Sequence, residues 1–463
     1  MNIIFIMSDT LRQDHLGCYG NENIITPYID QFSNSCIKFN RAYATSFPTM
    51  PCRADLFTGK YTFTYLGWNP ITDEETVLAE ILQKAGYTTL AAVDTPFLMR
   101  DGYGYDRGFD DFVFISGQDP GYDRRRVISS WRYEDDYFSP RTIAAAEKLL
   151  EYYYKEKFFL YIDMWDPHEP WDPPEYYVKQ YRPNYNGEDH VIPTYWDWKE
   201  AGLTEEDVKL CHDCYCGEVT MVDRWVGRLL DKVKKLGIWD DTAIIFTADH
   251  GFCFGEHGLL GKARQNTATF MNYNIPCKEL YDNPKELKNV MGKSVWMRSP
   301  LYQELTKVPL LFYIPGLESK KSEKLVSCVD IMPTILELAG IEPPDSVQGK
   351  SIKPLIEGKI DSIRDFVLTS YPIYNVGDKT RMIGGGVLKR VKEVLPITIT
   401  DKTWTMFYSG SSTPIELYNI KDDPKQLKNI FDKNKEVVRG LYNKLFKLLE
   451  QLGTSKHLLD AIR

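Results

Sequence analysis

No stretch of this 463-residue chain approaches the ~18 consecutive apolar residues that a membrane-spanning helix requires, so no such helix is expected. The N-terminal MNIIFIMSD has no basic region, and its apolar run is too short for a signal peptide; it reads as a buried strand starting at residue 2. Basic excess is missing too: 56 Lys and Arg stand against 65 Asp and Glu, a net charge of −9. That balance argues against a nucleic-acid partner, whose binders carry a basic stripe. It leaves an anionic small molecule open, since the local charge of a pocket decides its ligand. The nine cysteines are odd in number and lack framework spacing, so reduced thiols and a cytoplasmic location are expected. Internal repeats and low-complexity tracts are absent, and homo-oligomerisation stays open. An apolar content of 43% is enough for a sizeable core and excludes general disorder.

What is present alternates short apolar runs with amphipathic stretches, the pattern of a mainly parallel sheet sandwiched by helices in an α/β fold. Strands are predicted at Asn2–Met7, Thr88–Val93, Phe158–Asp163, Ala243–Ala248 and Val308–Ile314. They are short, rich in Ile, Val, Leu and Phe, and lack clean alternation, as strands buried on both faces should. Helices are predicted over Glu74–Lys84, Pro140–Tyr154, Glu205–Leu236 and Ile331–Leu338, with Ser139 as the N-cap before Pro140. Between Gly117 and Tyr195 the chain is crowded with Trp, Tyr and Pro, and long loops forming a substrate wall over the strand ends are expected. Beyond about residue 360 short strands at Asp365–Ser370, Gly385–Val391, Thr403–Tyr408 and Ile415–Tyr418 precede a helix near Lys433–Leu452. The chain therefore divides into two units: 1–360, and 361–463 as a small antiparallel sheet with a helix.

Chemistry-bearing residues stand at the ends of the predicted strands. Asp9 follows the first. His168 lies just after another in DMWDPHEPW. Asp249 and His250 follow a third in FTADHGFCFGEHGLLGK, which also supplies His257 and Lys262. Carboxylate oxygen and imidazole nitrogen suit Zn²⁺ or Mn²⁺ and, less well, Ca²⁺. One divalent metal ion is therefore expected on Asp9, Asp249 and His250, with the Thr49 oxygen as fourth ligand. Asp163 or Asp166, with His168 and His257, offers a second cation site, but the charge of Lys262 opposes it. The thiols of CHDCYC (Cys211, Cys214, Cys216) suggest zinc, but they fall inside a helical pattern, no fourth ligand has fitting spacing, and Cys214 and Cys216 do not share a face well, so they read as core or partly buried groups.

The run TSFPTMPCRADLFTG, with Thr49, Pro51, Arg53 and Gly59 in register, resembles the signature of the sulfatase family, a branch of the alkaline phosphatase superfamily. GCYG at 17–20, the Gly86-Tyr87 turn, TADHG, VDIMPTILELAGI and ELYNIKDDPKQLKNI recur there in the same order, so the resemblance covers nearly the whole chain. It implies an alkaline phosphatase-like fold, metal ligands Asp9, Asp249 and His250, and Thr49 as nucleophile and ligand. Arg53 would hold Thr49 and the transferred group, while His168 and Lys262 contact anionic oxygens or protonate the leaving group.

Three departures from the family pattern accumulate. The nucleophile position holds Thr49 where sulfatases have a Cys or Ser that is oxidised to formylglycine; the methyl group on the threonine β-carbon blocks that conversion. The usual pair of acids after the first strand is Asp9-Thr10. Where sulfatases commonly carry a Lys and a His that grip sulfate, this chain reads Val93-Asp94-Thr95-Pro96. A formylglycine ester is cleared by collapse to the aldehyde, whereas a threonine ester must be displaced by water, which is routine at phosphorus. The site pattern is similar to that of phosphonate monoester hydrolases and related phosphodiesterases. The expected function is thus hydrolysis of a monoanionic ester, a phosphodiester or phosphonate monoester, through a threonine ester. Asp94, Thr95 and His257 are expected on the substrate side. The rival readings are a sulfatase working without formylglycine, a phosphoryl or phosphoethanolamine transferase (a class usually anchored to membranes), and a non-catalytic relative that binds metal or sugar.

Overall fold

The computed structural model describes residues 1–97, 99, 102–115, 133–187, 191, 193, 195–266, 295–297, 299–373, 379–380, 389–390, 397–409 and 415–463. Eight strands build the main sheet: β1 (Asn2–Ser8), β2 (Ile37–Phe39), β3 (Thr88–Val93), β4 (Asp111–Phe114), β5 (Phe158–Met164), β6 (Thr242–Ala248), β7 (Leu310–Tyr313) and β8 (Lys320–Ser322). Their spatial order is β8-β2-β7-β6-β1-β5-β3-β4. β1 pairs in parallel with both β5 and β6, and β3 in parallel with β4 and β5. Only β7 runs antiparallel to its neighbours β6 and β2. The four central strands β1, β3, β5 and β6 are almost wholly buried, which is why their sequences read as continuous apolar runs.

Parallel pairing brings the carboxyl ends of β1, β5 and β6 to one edge, where α/β sheets bind ligands. Ser8 of β1 stands opposite Met164 and Ala248, so the residues after these strands emerge side by side. The longer helices among the described residues are α1 (Thr49–Thr58), α2 (Phe138–Tyr153), α3 (Glu205–Lys235), α4 (Ile331–Leu338) and α5 (Lys435–Gln451). Thr204 caps α3, accepting from Asp207 N at 3.2 Å. The expected Ser139 cap is corrected: α2 starts two residues earlier than expected, at Phe138, with Tyr137 in the cap position. Near residue 74 the helix starts only at Leu78.

A second sheet contains β9 (Phe366–Ser370), β10 (Ile397–Asp401), β11 (Trp404–Tyr408) and β12 (Glu416–Asn419), all antiparallel in that order. Helix α5 lies against it, and Leu368, Ile399, Met406, Leu441 and Leu445 share one core with Tyr61 and Phe63 of the larger part. The expected strand Gly385–Val391 lies outside the described residues except for 389–390, and so do residues 117–132 of the aromatic segment. Among the described residues no helix is long and apolar enough to cross a membrane.

Candidate active site

Thr49 opens α1 as its first residue, with Pro48 in the cap position. Thr49 and Arg53, four residues apart on this helix, share a face. Arg53 Nη1 donates to the Thr49 carbonyl at 3.1 Å. Asp55 fixes the approach: it accepts from Ser46 N at 2.6 Å and from Thr62 N at 2.8 Å, clamping the segments on either side of the helix. Gly59 ends α1 at φ 65, a left-handed conformation suited to glycine. A β-carbon there would stand 2.9 Å from Val347 and 3.0 Å from Met332.

Asp9, Asp249 and His250 meet in front of Thr49, all three buried. His250 Nε2 lies 3.4 Å from Asp249 Oδ2 and 3.9 Å from Asp9 Oδ1. The His250 Nδ1–H donates to the Gly251 carbonyl at 3.0 Å, which leaves the Nε2 lone pair facing the site. Thr49 Oγ1 is 3.3 Å from that nitrogen. Burial, followed by the charge of Lys262, drives the His250 pKa down to about 3, so the ring is neutral and able to ligate. Burial, then Asp249, pushes Asp9 up to about 6.

Two carboxylates and a neutral imidazole converging in a dry pocket are a donor set for a borderline divalent cation. Asp9 Oδ2 strengthens the fit. It is buried without a hydrogen-bond partner, and Arg53 Nη1 approaches it at 2.9 Å only as an ion pair. Asp9, Asp249 and His250 would hold such an ion, with Thr49 Oγ1 alongside. When bound it would lower the pKa of a coordinated hydroxyl or water, as metal ions do.

Arg53 is the hub of the cluster. Its Nε and Nη2 donate to Asp163 Oδ2 and Oδ1 at 2.8 and 2.6 Å, a bidentate pair inside the protein. Its Nη1 also reaches Asp249 Oδ2 at 3.0 Å. The same Asp163 accepts from Tyr161 Oη at 2.7 Å and from Thr95 Oγ1 at 2.8 Å. Asp163 is thus committed to Arg53, and His257 stacks on Tyr302 at 3.5 Å and faces Glu304. These contacts engage Asp163 and His257, and among the described residues neither Asp163 nor Asp166 gathers with His168 and His257 as a metal-ligand cluster.

Lys262 and His168 do arrive together. Lys262 Nζ is 2.5 Å from His168 Nε2, and the His168 Nδ1–H donates to the Glu169 carbonyl at 2.7 Å. Burial and then Lys262 hold the His168 pKa well below its ordinary value, so the imidazole accepts and the ammonium donates. Lys262 Nζ also lies 3.4 Å from Thr10 Oγ1. Thr10, which replaces the family's second acid, donates its hydroxyl to Asp9 Oδ1 at 2.7 Å and its amide to Asp249 Oδ1 at 2.9 Å.

The substrate-side expectations fare differently. Asp94 accepts from the Trp165 amide at 2.5 Å, and its pKa is raised well above the carboxylate range by burial and by Asp166. Thr95 accepts from Arg53 Nη2 at 3.1 Å. Both tie the β3 loop to β5 and to Arg53. His257 is turned toward Tyr302 and Glu304. Aromatic rings stand beside the cluster, mostly from outside the Gly117–Tyr195 segment: Trp165 stacks on His168 at 3.6 Å, Phe97 lies 5.8 Å from Trp165, and Trp68 lies 5.5 Å from Phe97. Trp68 and Phe97 are exposed, unlike Trp171, which is core. Sequence reasoning passed over Glu169 and Tyr371. The Tyr371 hydroxyl donates to the Lys262 carbonyl at 3.0 Å.

A hydroxyl, a neutral imidazole, two acids and a buried guanidinium thus gather at the carboxyl edge of the parallel sheet, where an α/β fold binds its ligand. Residues 1–341 match the sulfatase family model, and residues 292–453 match that of the N-sulphoglucosamine sulphohydrolase C-terminal region. The chain belongs to the sulfatase family. It is 25% identical to the N-acetylglucosamine-6-O-sulfatase of Bacteroides thetaiotaomicron, over 97% of this chain and 86% of that one. It is 24% identical to an arylsulfatase of Clostridium perfringens, over 97% and 94%. Among solved structures it resembles the phosphonate monoester hydrolase of Agrobacterium radiobacter, with a TM-score of 0.74, 21% identity, and coverage of 97% and 96%.

Proposed function

We propose that this sulfatase-family hydrolase cleaves a monoanionic ester, a phosphodiester or phosphonate monoester in preference to a sulfate, with Thr49 as the covalent nucleophile. The observation that carries the reading is the position of Thr49 Oγ1, 3.3 Å from His250 Nε2 and beside the Asp9–Asp249 pair. Its β-methyl rules out the aldehyde route by which a formylglycine ester is cleared. Thr49 Oγ1 releases its hydroxyl proton to solvent and attacks the central atom in line. The bond to the leaving oxygen breaks as the Thr49 ester forms, and the threonine oxygen takes a proton back from solvent when that ester is later displaced. The departing alkoxide takes a proton from the Lys262–His168 pair. Water then returns that proton, and the resulting hydroxide displaces Thr49. Arg53, held by Asp163, positions the nucleophile's helix turn and offsets the charge of the acids. The start of α1 adds the partial positive charge of a helix N-terminus to the place where the anion would sit. The exposed Trp68 and Phe97, backed by the buried Trp165, take the organic part of the substrate.

The test is a panel of bis-aryl phosphate, aryl phosphonate monoester, aryl phosphate and aryl sulfate, each assayed with Mn²⁺, Zn²⁺ and Ca²⁺. Faster turnover of the diester or phosphonate than of the sulfate is expected; the reverse order would establish the sulfatase reading, which the names of the relatives favour. Metal binding without turnover of any ester would leave a non-catalytic binding protein.

A further inference from the structure

On α3, His212 and Cys216 lie one turn apart, four residues along the helix, and so face the same way. His15 reaches them from the short turn Gln13–His15, just beyond β1. His15 Nε2 is 2.9 Å from His212 Nε2, and Cys216 Sγ is 3.7 Å from the same His212 nitrogen. One donor atom from each residue falls within 4.8 Å of the other two. From these contacts we infer that His15, His212 and Cys216 form a second metal site, separate from the Asp9–Asp249–His250 cluster, that takes a thiophilic divalent cation such as Zn²⁺.

The distances suit that ion. Bonds of about 2.0 Å to nitrogen and 2.3 Å to sulfur place neighbouring tetrahedral donors roughly 3.3 to 3.6 Å apart. The two imidazoles need to part by only a few tenths of an ångström. Hydrogen bonding prepares the ligand too. The His15 Nδ1–H donates to Asp14 Oδ1 at 2.9 Å, which fixes the tautomer with the Nε2 lone pair directed at the cluster. A carboxylate behind a ligating histidine is the usual support of a zinc site. Asp14 is itself gripped by Arg12, whose Nε and Nη2 donate to it at 2.8 and 2.6 Å.

With His15 Nε2 committed as an acceptor, the cation-free contact is closed by the His212 Nε2 proton. A cation replaces that proton: His212 re-protonates at Nδ1 and binds through Nε2, and the Cys216 thiol releases its proton to solvent as the metal–sulfur bond forms. His15 and Cys216 are buried, whereas the His212 side chain is 40% exposed, a path for the ion and for water as fourth ligand. The His15 ring is held edge-on by Tyr215 at 5.3 Å. The Tyr215 hydroxyl donates to the Thr10 carbonyl at 2.9 Å and accepts from the Arg12 amide at 2.9 Å. A cation here would therefore brace the loop that presents Asp9, without touching the reacting atoms.

The reading of Thr49 as nucleophile plays no part in this site, and the experiment keeps the two apart. Full-length protein stripped with chelator is loaded with Co²⁺ and its thiolate-to-metal charge-transfer absorption recorded, then loaded with Zn²⁺ and its metal content measured by elemental analysis. A thiolate band is expected in the wild type and in Thr49→Ala, and its absence in Cys216→Ser. His212→Ala, a change at a half-exposed helix position, should lose about one Zn²⁺ per chain, the equivalent held by this site. A cobalt spectrum of the wild type without a thiolate band would overturn the site, whatever the variants do. So would Zn²⁺ content unchanged in both His212→Ala and Cys216→Ser.

Discussion

Lys262 donates to His168 at 2.5 Å, and that imidazole is locked by the Glu169 carbonyl behind it. In the proposed reaction this pair gives its proton to the leaving alkoxide. Lys262→Ala is therefore expected to slow cleavage by roughly 10²- to 10⁴-fold when the leaving alcohol is weakly acidic, the usual range for general-acid assistance. For a nitrophenyl leaving group, which needs little protonation, the loss should be far smaller. The check is the slope of log kcat/KM against leaving-group pKa. An unchanged slope would take the proton-donor role away from the pair.

Thr49→Ala is expected to lower turnover by roughly 10³-fold or more, as loss of a covalent nucleophile does. Binding of the divalent ion should survive, because Asp9, Asp249 and His250 remain. Thr49→Ser keeps the hydroxyl and should retain activity. Mass spectrometry of wild-type protein quenched during turnover is expected to place the added group on the peptide carrying Thr49; turnover by the alanine variant at the wild-type rate would exclude the residue.

Arg53→Lys is not a conservative change at this position. A lysine has one point charge where the guanidinium serves Asp163 in bidentate fashion and also meets Asp9 and Asp249. Breaking a buried pair of this kind costs about 3 to 5 kcal/mol, since an unpaired carboxylate is left inside. Urea denaturation followed by tryptophan fluorescence should show a loss of that order. A loss near zero would mean that Asp163 is satisfied in another way.

Glu169 carries a pH signature. Burial raises its carboxyl from 4.5 to about 7, only partly offset by Lys262 at 3.8 Å. Because the folded value lies above the unfolded one, the fold binds the proton more tightly than the unfolded chain. The stabilisation is complete below about 4.5 and is lost as pH rises through about 7. Glu169→Gln mimics the protonated acid and is expected to flatten the fall in denaturation midpoint between pH 5 and pH 8. Parallel profiles for wild type and variant would remove Glu169 as the titrating group.

Much of the catalytic half is legible in its sequence. β1, β3, β5 and β6 are buried on both faces, so burial writes them into the sequence as unbroken Ile, Val, Leu and Phe runs. The polar residues that end those runs had to emerge together at one edge, and Asp9, Asp249 and His250 do. What sequence spacing could not convey is the commitment of one side chain to another. Asp163 looked available for a cation, yet Arg53 on α1 claims both of its oxygens. Asp94 and His257 stood near the right motifs but point to Trp165 and Tyr302. The CHDCYC run was read through its cysteines alone. The partner that gives Cys216 a context is His212 beside it, together with His15, which lies 197 residues from His212 in the chain.

The hydroxyl of Tyr371, one residue past β9, holds the backbone of Lys262. Just before it, Ser370 is joined to Phe47 by a backbone hydrogen bond of 2.9 Å, and the Phe47 ring rests 4.9 Å from that of His250. The small sheet is therefore a working face of the catalytic half and no mere appendage. Recombination between relatives at a junction near residue 360 would separate Lys262 from its buttress, so chimeras of this family should keep the two halves from one parent.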